Sequence, residues 1–233
     1  MIIAMWSGPR NLSTAMMRSF GSRADCTVMD EPFFAPYLAV SGKPHPGRKE
    51  TLAQNETDPD RVAELCTAPV AQDYFFQKHM PHHMLDGFPM DWAKDAKHFL
   101  LIRHPQRVIA SYAKERGDFE VGDLGFAPQR RLWEDLGRPP VIHSETILQN
   151  PSAALRALCA AIDIPFDPAM LSWEAGKRPE DGPWAPWWYK GVWASTGFGA
   201  PPKAMPEIAP HYHAMLDACL PDYMGLAGSA LQI

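Results

Sequence analysis

The sequence has 233 residues, of which 46% are hydrophobic and 21% charged, the composition of a soluble globular protein with one sizeable core. The formal net charge of −5 argues against broad binding to nucleic acid or to a membrane surface, because both favour basic proteins. No stretch approaches the roughly 18 apolar residues that a membrane span requires. We therefore expect one domain over residues 1–233, with neither nucleic acid nor membrane as a partner.

The cysteines indicate the compartment. They are far apart in the sequence and form no C-x-x-C pair: Cys26, Cys66, Cys159 and Cys219. This spacing predicts reduced, buried thiols and neither a disulfide framework nor a zinc site. The N-terminus has no charged segment followed by a long apolar run, so we expect no signal peptide and a cytoplasmic location.

The first twenty residues combine a strand, a loop and a helix. Residues 2–6 are apolar and strand-like, and residues 7–9 break the run with Ser, Gly and Pro. The next apolar residues are spaced by four, as on one face of a helix: Leu12, Met16 and Phe20. A helix N-terminus has unpaired N–H groups and a partial positive charge, so this unit predicts an anion site.

The loop itself carries the residues of a phosphate cradle: Pro9, Arg10, Asn11, Leu12, Ser13 and Thr14. It contributes a guanidinium and two hydroxyl groups. It is not a Walker A loop, because it has no second glycine and no lysine, so magnesium binding is not implied. The alternative is an ordinary first β–α unit in which Arg10 is merely solvated.

The rest of the chain alternates between strands and helices, up to a mostly irregular C-terminal part. Predicted strands lie at residues 26–29, 74–78, 98–102 and 140–143, and helices at 58–74, from 105, 128–136, from 151 and 211–220. Residues 41–57 predict a surface loop that covers the site, and residues 172–205, rich in tryptophan, predict an aromatic lid. This alternation favours an α/β fold, a parallel sheet flanked by helices that binds ligands at the carboxyl ends of its strands.

A second candidate anion site follows the clearest buried strand. Arg103 comes directly after that strand, and Ser111 lies in the second turn of the following helix. A guanidinium matches phosphate oxygens bidentately, and a nearby hydroxyl adds a donor. The alternative is an arginine that only caps its own sheet edge.

At this point the chain resembles the P-loop sulfotransferases. Residues 9–14 are similar to the family's P-[KR]-S-G-[ST]-T loop, and residues 103–112 to its R-[DN]-P-R-D-x-x-x-S-x-Y motif. Residues 140–171 resemble a third stretch, E-D-L-x-x-x-P-x-x-x-L-x-x-L-x-x-F-L-G-I-P. The three matches occur in the family's order and imply a three-layer P-loop NTPase-like fold. Asn11 and Leu12 depart from the family's Ser-Gly, and His104 replaces an acidic or amide residue.

The resemblance implies a donor and the residues that hold it. The donor is 3′-phosphoadenosine 5′-phosphosulfate (PAPS), with residues 9–14 on its 5′-phosphosulfate and Arg103 and Ser111 on its 3′-phosphate. Lys190, in a Tyr-Lys-Gly that keeps part of the family's R-K-G, is a further candidate for the 3′-phosphate. Transfer to an acceptor hydroxyl or amine is in line and needs no metal, with Arg10 and Lys78 as the expected cations near the transferred group.

Two residues compete as the general base. Glu31 lies in a stretch similar to the S-E-P-F of bacterial and Golgi-type members, where the glutamate is the base. His79 lies in a stretch similar to the K-T-H-L-P of cytosolic members, although Lys78 is one position too close. A histidine suits base work without tuning, whereas a glutamate needs a raised pKa. Both remain open from the sequence.

Other functions explain fewer of these residues. His79, His82 and His83 have the spacing of metal ligands on a helix, but Pro81 interrupts it and no carboxylate or cysteine completes the set. Arg103-His104 is similar to the R-H-G of histidine phosphatases, but a proline replaces the glycine and the position is central. A P-loop nucleotide kinase, or an inactive nucleotide-binding module of the same fold, is the main alternative.

The acceptor is predicted only as a class. Aromatic segments at residues 33–37, 74–76 and 184–193 favour an apolar or ring-bearing small molecule. The sequence does not indicate the oligomeric state.

Overall fold

The computed structural model describes residues 1–116, 118–201 and 204–233, and within them five parallel strands form a single sheet. The order is β2-β3-β1-β4-β5. The bounds are β1 Ile2–Ser7, β2 Cys26–Asp30, β3 Tyr74–His79, β4 Lys97–Ile102 and β5 Val141–His143. The predicted α/β class with a central parallel sheet is confirmed.

Helices connect the strands and cover the sheet. They are α1 Ser13–Gly21, α2 Phe34–Ser41, α3 Arg48–Gln54, α4 Pro59–Cys66, α5 Pro105–Glu115, α6 Phe126–Asp135, α7 Ser144–Gln149, α8 Pro151–Ala161, α9 Ala185–Trp188, α10 Lys190–Trp193 and α11 His213–Ala227. At α4 and α8 the predicted caps are present: Asp58 and Asn150 each accept a backbone N–H, and a proline follows.

The two faces of the sheet have separate cores, because successive residues of a strand point to opposite sides. On β1, Ile3 and Met5 join one core, with α1 and α8, while Ala4 and Trp6 join the other, with α5, α6 and α11. The result is three layers. The four cysteines are buried and free, as predicted.

Three predicted boundaries were wrong. The helix from Pro59 ends at Cys66 and not near residue 74, because Pro69 disfavours helical backbone just before it. The predicted loop 41–57 contains the helix α3, whose polar sequence has no apolar periodicity to reveal it. The last helix begins at His213 and extends to Ala227. In the part of the chain that the structure describes, no helix has the length and apolar character to cross a bilayer.

The strand ends meet at one edge of the sheet. Loop 8–12 follows β1, Glu31 follows β2, Lys78 and His79 close β3, and Arg103 follows β4. Parallel register places Asp30 opposite Lys78 and Ser7 opposite Leu101. This edge therefore collects the side chains that the sequence singled out.

Candidate active site

A cavity of about 490 Å³ lies at this edge, a volume typical of small-molecule sites. All nine predicted cofactor-binding residues line it: Pro9, Arg10, Asn11, Leu12, Ser13, Thr14, Arg103, Ser111 and Lys190. Glu31 and Lys78 line it as well. The fold thus brings into one cavity residues from four strand ends and from the C-terminal segment.

The loop after β1 takes an unusual backbone path into α1. Arg10 and Leu12 have φ angles of 61° and 72°, in the left-handed region that glycine tolerates best. Leu12 stands where the family has glycine and keeps the glycine-like conformation. The loop is fixed from behind: Asn11 Nδ2 donates to the Leu101 carbonyl at 3.2 Å, and Ser144 Oγ donates to the Asn11 carbonyl at 2.6 Å. The first N–H groups of α1, which follow this loop, have no partner within the helix.

The two arginines converge beside this loop. Arg10 Nε donates to Ser111 Oγ at 3.0 Å, and Arg103 Nη1 donates to the Arg10 carbonyl at 2.7 Å. Arg103 Nε is buried without a hydrogen-bond partner. Burial lowers the pKa of both arginines, which remain cations at neutral pH. A buried donor without a partner beside a second guanidinium is what an anion site provides.

Also at the cavity, Lys78 is enclosed by acidic and phenolic oxygens. Its Nζ donates to Asp30 Oδ1 at 2.7 Å, to Glu31 Oε1 at 2.6 Å and to the Tyr189 hydroxyl at 2.5 Å. The Tyr189 hydroxyl donates to Asp30 Oδ2 at 2.6 Å and accepts from Trp184 Nε1 at 3.1 Å. The side chains of Lys78, Asp30 and Glu31 are 1%, 1% and 8% exposed.

Burial and charge determine the protonation states here. Burial, together with repulsion from Asp30, raises the pKa of Glu31 above its ordinary value, against the attraction of Lys78. Burial by itself lowers the pKa of Lys78, but Asp30 and Glu31 outweigh that effect and the pKa is raised. Burial raises the pKa of Tyr189 well above 10, so it stays protonated. Glu31 also has a positive φ of 42°, a strained backbone at a candidate reactive residue.

His79 lies away from the other candidates. Its ring stacks between Trp6 and Trp92, with centroids 4.6 and 4.7 Å away, and its Nε2 lies 3.1 Å from Gln77 Oε1. It does not line the cavity. The reason is strand alternation: Lys78 points toward the cavity, so its neighbour on β3 points to the opposite core. Burial lowers the pKa of His79 to about 3, which keeps it neutral.

The wall near Glu31 is aromatic and carries neutral imidazoles. The Phe34 ring lies 4.7 Å from His83, 4.9 Å from His45 and 5.0 Å from Trp184. Burial lowers the pKa of His82 to about 4 and that of His83 well below 6.5. Nδ1 of both is buried without a hydrogen-bond partner. Among the residues that the structure describes, no group of three or more His, Cys, Asp or Glu could hold a metal ion.

The two segments predicted to cover the site contact each other above it. Within residues 172–205, α9 and α10 place Trp184, Trp188 and Tyr189 on the cavity wall, and His45 of the 41–57 segment lies opposite. A Cβ on Gly47 would lie 2.7 Å from the Trp187 ring, so the chain approaches that ring closely. Pro202 and Lys203 of the predicted lid lie outside the described residues.

The cavity thus combines an anion loop at a helix N-terminus with a buried lysine–carboxylate pair. The family model for the sulfotransferase domain matches residues 1–230. The chain therefore belongs to the sulfotransferase domain family.

Solved structures with this fold include sulfotransferase domains. The sulfotransferase domain of the Synechococcus PCC 7002 olefin synthase has a TM-score of 0.54 and 18% identity, covering 100% of this chain and 96% of that one. A sulfotransferase from Alicyclobacillus acidocaldarius has a TM-score of 0.53 and 16% identity, covering 98% and 95%. At these identities the likeness shows the fold alone.

Two relatives are proteins of Arabidopsis thaliana. Branched-chain-amino-acid aminotransferase-like protein 2 is 40% identical over 228 residues, and aminotransferase-like protein 1 is 37% identical over 227. The matches cover 95% of this chain but 40% and 41% of the relatives. The chain thus spans about two fifths of their length.

Two members of the site had no predicted role. Asp30 directly precedes Glu31 and ends the same strand, so its presence at the edge was open to sequence reasoning. Tyr189 lies 111 residues from Lys78, and no local pattern connects the two.

Proposed function

We propose that the protein transfers a sulfuryl group from PAPS to a hydroxyl or amine of an apolar or ring-bearing small molecule. The observation that carries this proposal is that one cavity combines two sets of groups. Two arginines and a helix N-terminus line it together with Glu31, a carboxylate with a raised pKa beside the buried Lys78. Membership in the sulfotransferase domain family supports the same assignment.

The two arginines and the helix N-terminus fit a nucleotide with two separate phosphates. Loop 9–14 and the N–H groups of α1 would hold the 5′-phosphosulfate, as helix N-termini hold anions. Arg103 and Ser111 would hold the 3′-phosphate, and the unpartnered Arg103 Nε supplies a free donor for it. Lys190 lines the same cavity and stays a candidate contact. PAPS would supply the sulfuryl group and a stable bisphosphate leaving group.

The protein's own groups would then manage one proton and the developing charge. Glu31 takes the proton of the acceptor hydroxyl or amine while the new bond to sulfur forms and the bond from sulfur to the phosphate oxygen breaks. The electron pair of the broken bond stays on that oxygen, where Arg10, Lys78 and the loop amides stabilise it. Because positioning and electrostatics supply most of the rate in such transfers, no metal step is needed.

The aromatic wall supports the acceptor class. Phe34, Trp184 and the neutral rings of His82 and His83 offer stacking area and hydrogen-bonding nitrogens without net charge. A ring-bearing acceptor gains contact area there.

An inactive nucleotide-binding module is the second candidate. Leu12, which has a bulky side chain where the family has glycine, is the observation that favours it, because that side chain lies in the loop that would hold the phosphosulfate. Such a module would bind the nucleotide and transfer nothing.

Thermal stabilisation by adenosine 3′,5′-bisphosphate tests the donor site. At about 100 times its Kd, this reaction product should add roughly 2.7 kcal/mol, a clear rise in melting temperature. We expect neither 5′-AMP nor ATP to match it. Arg103→Ala should weaken bisphosphate binding by about 10- to 100-fold, since a charge-assisted contact is lost.

Arg131→Ala is the matched control. Arg131 is exposed on α6, so this substitution removes the same charge at a position that does not line the cavity. Its bisphosphate affinity should equal that of the native chain. Stabilisation by ATP but not by the bisphosphate would contradict the proposal and favour a nucleotide kinase.

A further inference from the structure

We propose that Asp30 and Tyr189 are positioning residues that make Glu31, and not Asp30, the carboxylate that exchanges a proton in the cavity. This inference rests on the proposed function for the use of that proton. Its basis is the unequal sharing of hydrogen-bond donors between two adjacent carboxylates around one ammonium group.

Asp30 is surrounded by donors. Its Oδ1 accepts from Lys78 Nζ at 2.7 Å, and its Oδ2 accepts from the Tyr189 hydroxyl at 2.6 Å and from the backbone N–H of Gly182 at 3.4 Å. Its side chain is 1% exposed, and it does not line the cavity. Asp30 is therefore fixed in place against Lys78 and does not face the cavity.

Glu31 has a different environment. Lys78 Nζ donates to its Oε1 at 2.6 Å, the Tyr189 hydroxyl that donates to Asp30 also lies within reach of it, and its carboxylate lines the cavity. The charged and titratable groups that act on it are Lys78 from β3, Asp30 from β2 and Tyr189 from the C-terminal segment. His83, which also acts on Lys78, is neutral.

These contacts separate two otherwise similar groups. One lysine cannot neutralise two carboxylates, so the three side chains carry a net charge of about −1 in a buried setting. The repulsion acts on whichever carboxylate is less well solvated by donors, and here that is Glu31. An environment that raises the pKa of one of two adjacent carboxyl groups assigns the acid–base role to that group.

Tyr189 has a second consequence, because it comes from the predicted lid. Its hydroxyl connects α9 and α10 to the end of β2, so the Lys78–Glu31 geometry depends on that segment being in place. Loss of the hydroxyl removes a donor from Asp30 and an acceptor from Lys78 without changing the ring that lines the cavity.

A carboxylate titration of the full chain tests the inference without any turnover. Glutamate labelled with ¹³C at Cδ reports each midpoint by NMR, and Glu31→Gln identifies the Glu31 signal. In Asp30→Asn the midpoint of Glu31 should fall by about one pH unit, because a like charge beside it is removed while Lys78 remains. In Tyr189→Phe it should rise, because the Tyr189 hydroxyl favours the charged form of Glu31.

Asp181→Asn is the matched control. It is the same substitution in another buried ion pair, the one between Asp181 and Arg18 at 2.7 Å. That ion pair fixes the same C-terminal segment to α1. We expect a lower melting temperature and an unchanged Glu31 midpoint. A Glu31 midpoint that stays in place in folded Asp30→Asn, or that moves equally in Asp181→Asn, would overturn the inference.

If Asp30→Asn does not fold, Tyr189→Phe decides by the sign of its shift, and no shift or a fall would overturn the inference. Failure of the proposed function has a different signature. The midpoints would move as expected, but the native chain would neither bind the bisphosphate nor transfer sulfuryl groups.

Discussion

Glu31→Gln should lower the turnover number for sulfuryl transfer by about 10²- to 10⁴-fold, the usual contribution of a positioned general base. The amide keeps the size of the side chain and cannot accept the acceptor's proton. Binding of adenosine 3′,5′-bisphosphate should stay within about twofold, because its predicted contacts do not include Glu31. Steady-state kinetics and calorimetry on the same preparations measure both quantities.

His79→Gln is the paired variant, since His79 was the competing candidate. The structure places its ring between Trp6 and Trp92 in the opposite core, so we expect a lower melting temperature but a turnover number within a few-fold of native. A large loss in His79→Gln with little loss in Glu31→Gln would reverse the assignment of the base.

Lys78→Met should destabilise the protein by about 3–5 kcal/mol at pH 8, because it leaves Asp30 and Glu31 buried without their cation. Without Lys78, the pKa of Glu31, already raised by burial, rises further. A carboxyl group whose folded-state pKa is raised costs stability that grows as the pH rises from its unfolded-state pKa to its folded-state pKa, so the deficit should shrink toward pH 5. Urea unfolding at both pH values measures this.

Lys94→Met is the control for removing a paired lysine. Lys94 pairs with Asp91 at 2.6 Å, but both side chains are largely exposed, at 73% and 88%. We expect an unchanged free energy of unfolding. Equal effects of the two substitutions would mean that the buried network does not depend on Lys78.

The strand–loop–helix unit and the second anchor were predictable, because each combines a local pattern with the edge rule of parallel sheets. Residues 2–6 and 98–102 are short apolar runs bounded by breakers, and the residues after them face the same edge. From the sequence alone, that rule predicts Arg10, Arg103 and Ser111 at one edge of the sheet. The resemblance to a known family fixed their expected order on one ligand.

Other features depended on information that the sequence pattern does not carry. Motif similarity alone could not choose between Glu31 and His79, because the choice depends on which face of β3 His79 occupies, and that face is opposite to the one of Lys78. The left-handed backbone at Leu12 is invisible in a pattern that suggests a helix start there. Tyr189 reaches Lys78 only through the tertiary path of the C-terminal segment.

The most direct test of the account is transfer of ³⁵S from labelled PAPS to a panel of phenols, ring-bearing alcohols and amines, with charged glycans for comparison. The native chain should label ring-bearing acceptors, and Glu31→Gln should label them far more slowly. A native chain that binds the bisphosphate but labels no acceptor would contradict catalysis and leave the nucleotide-binding module. Labelling of charged glycans alone would contradict the acceptor class.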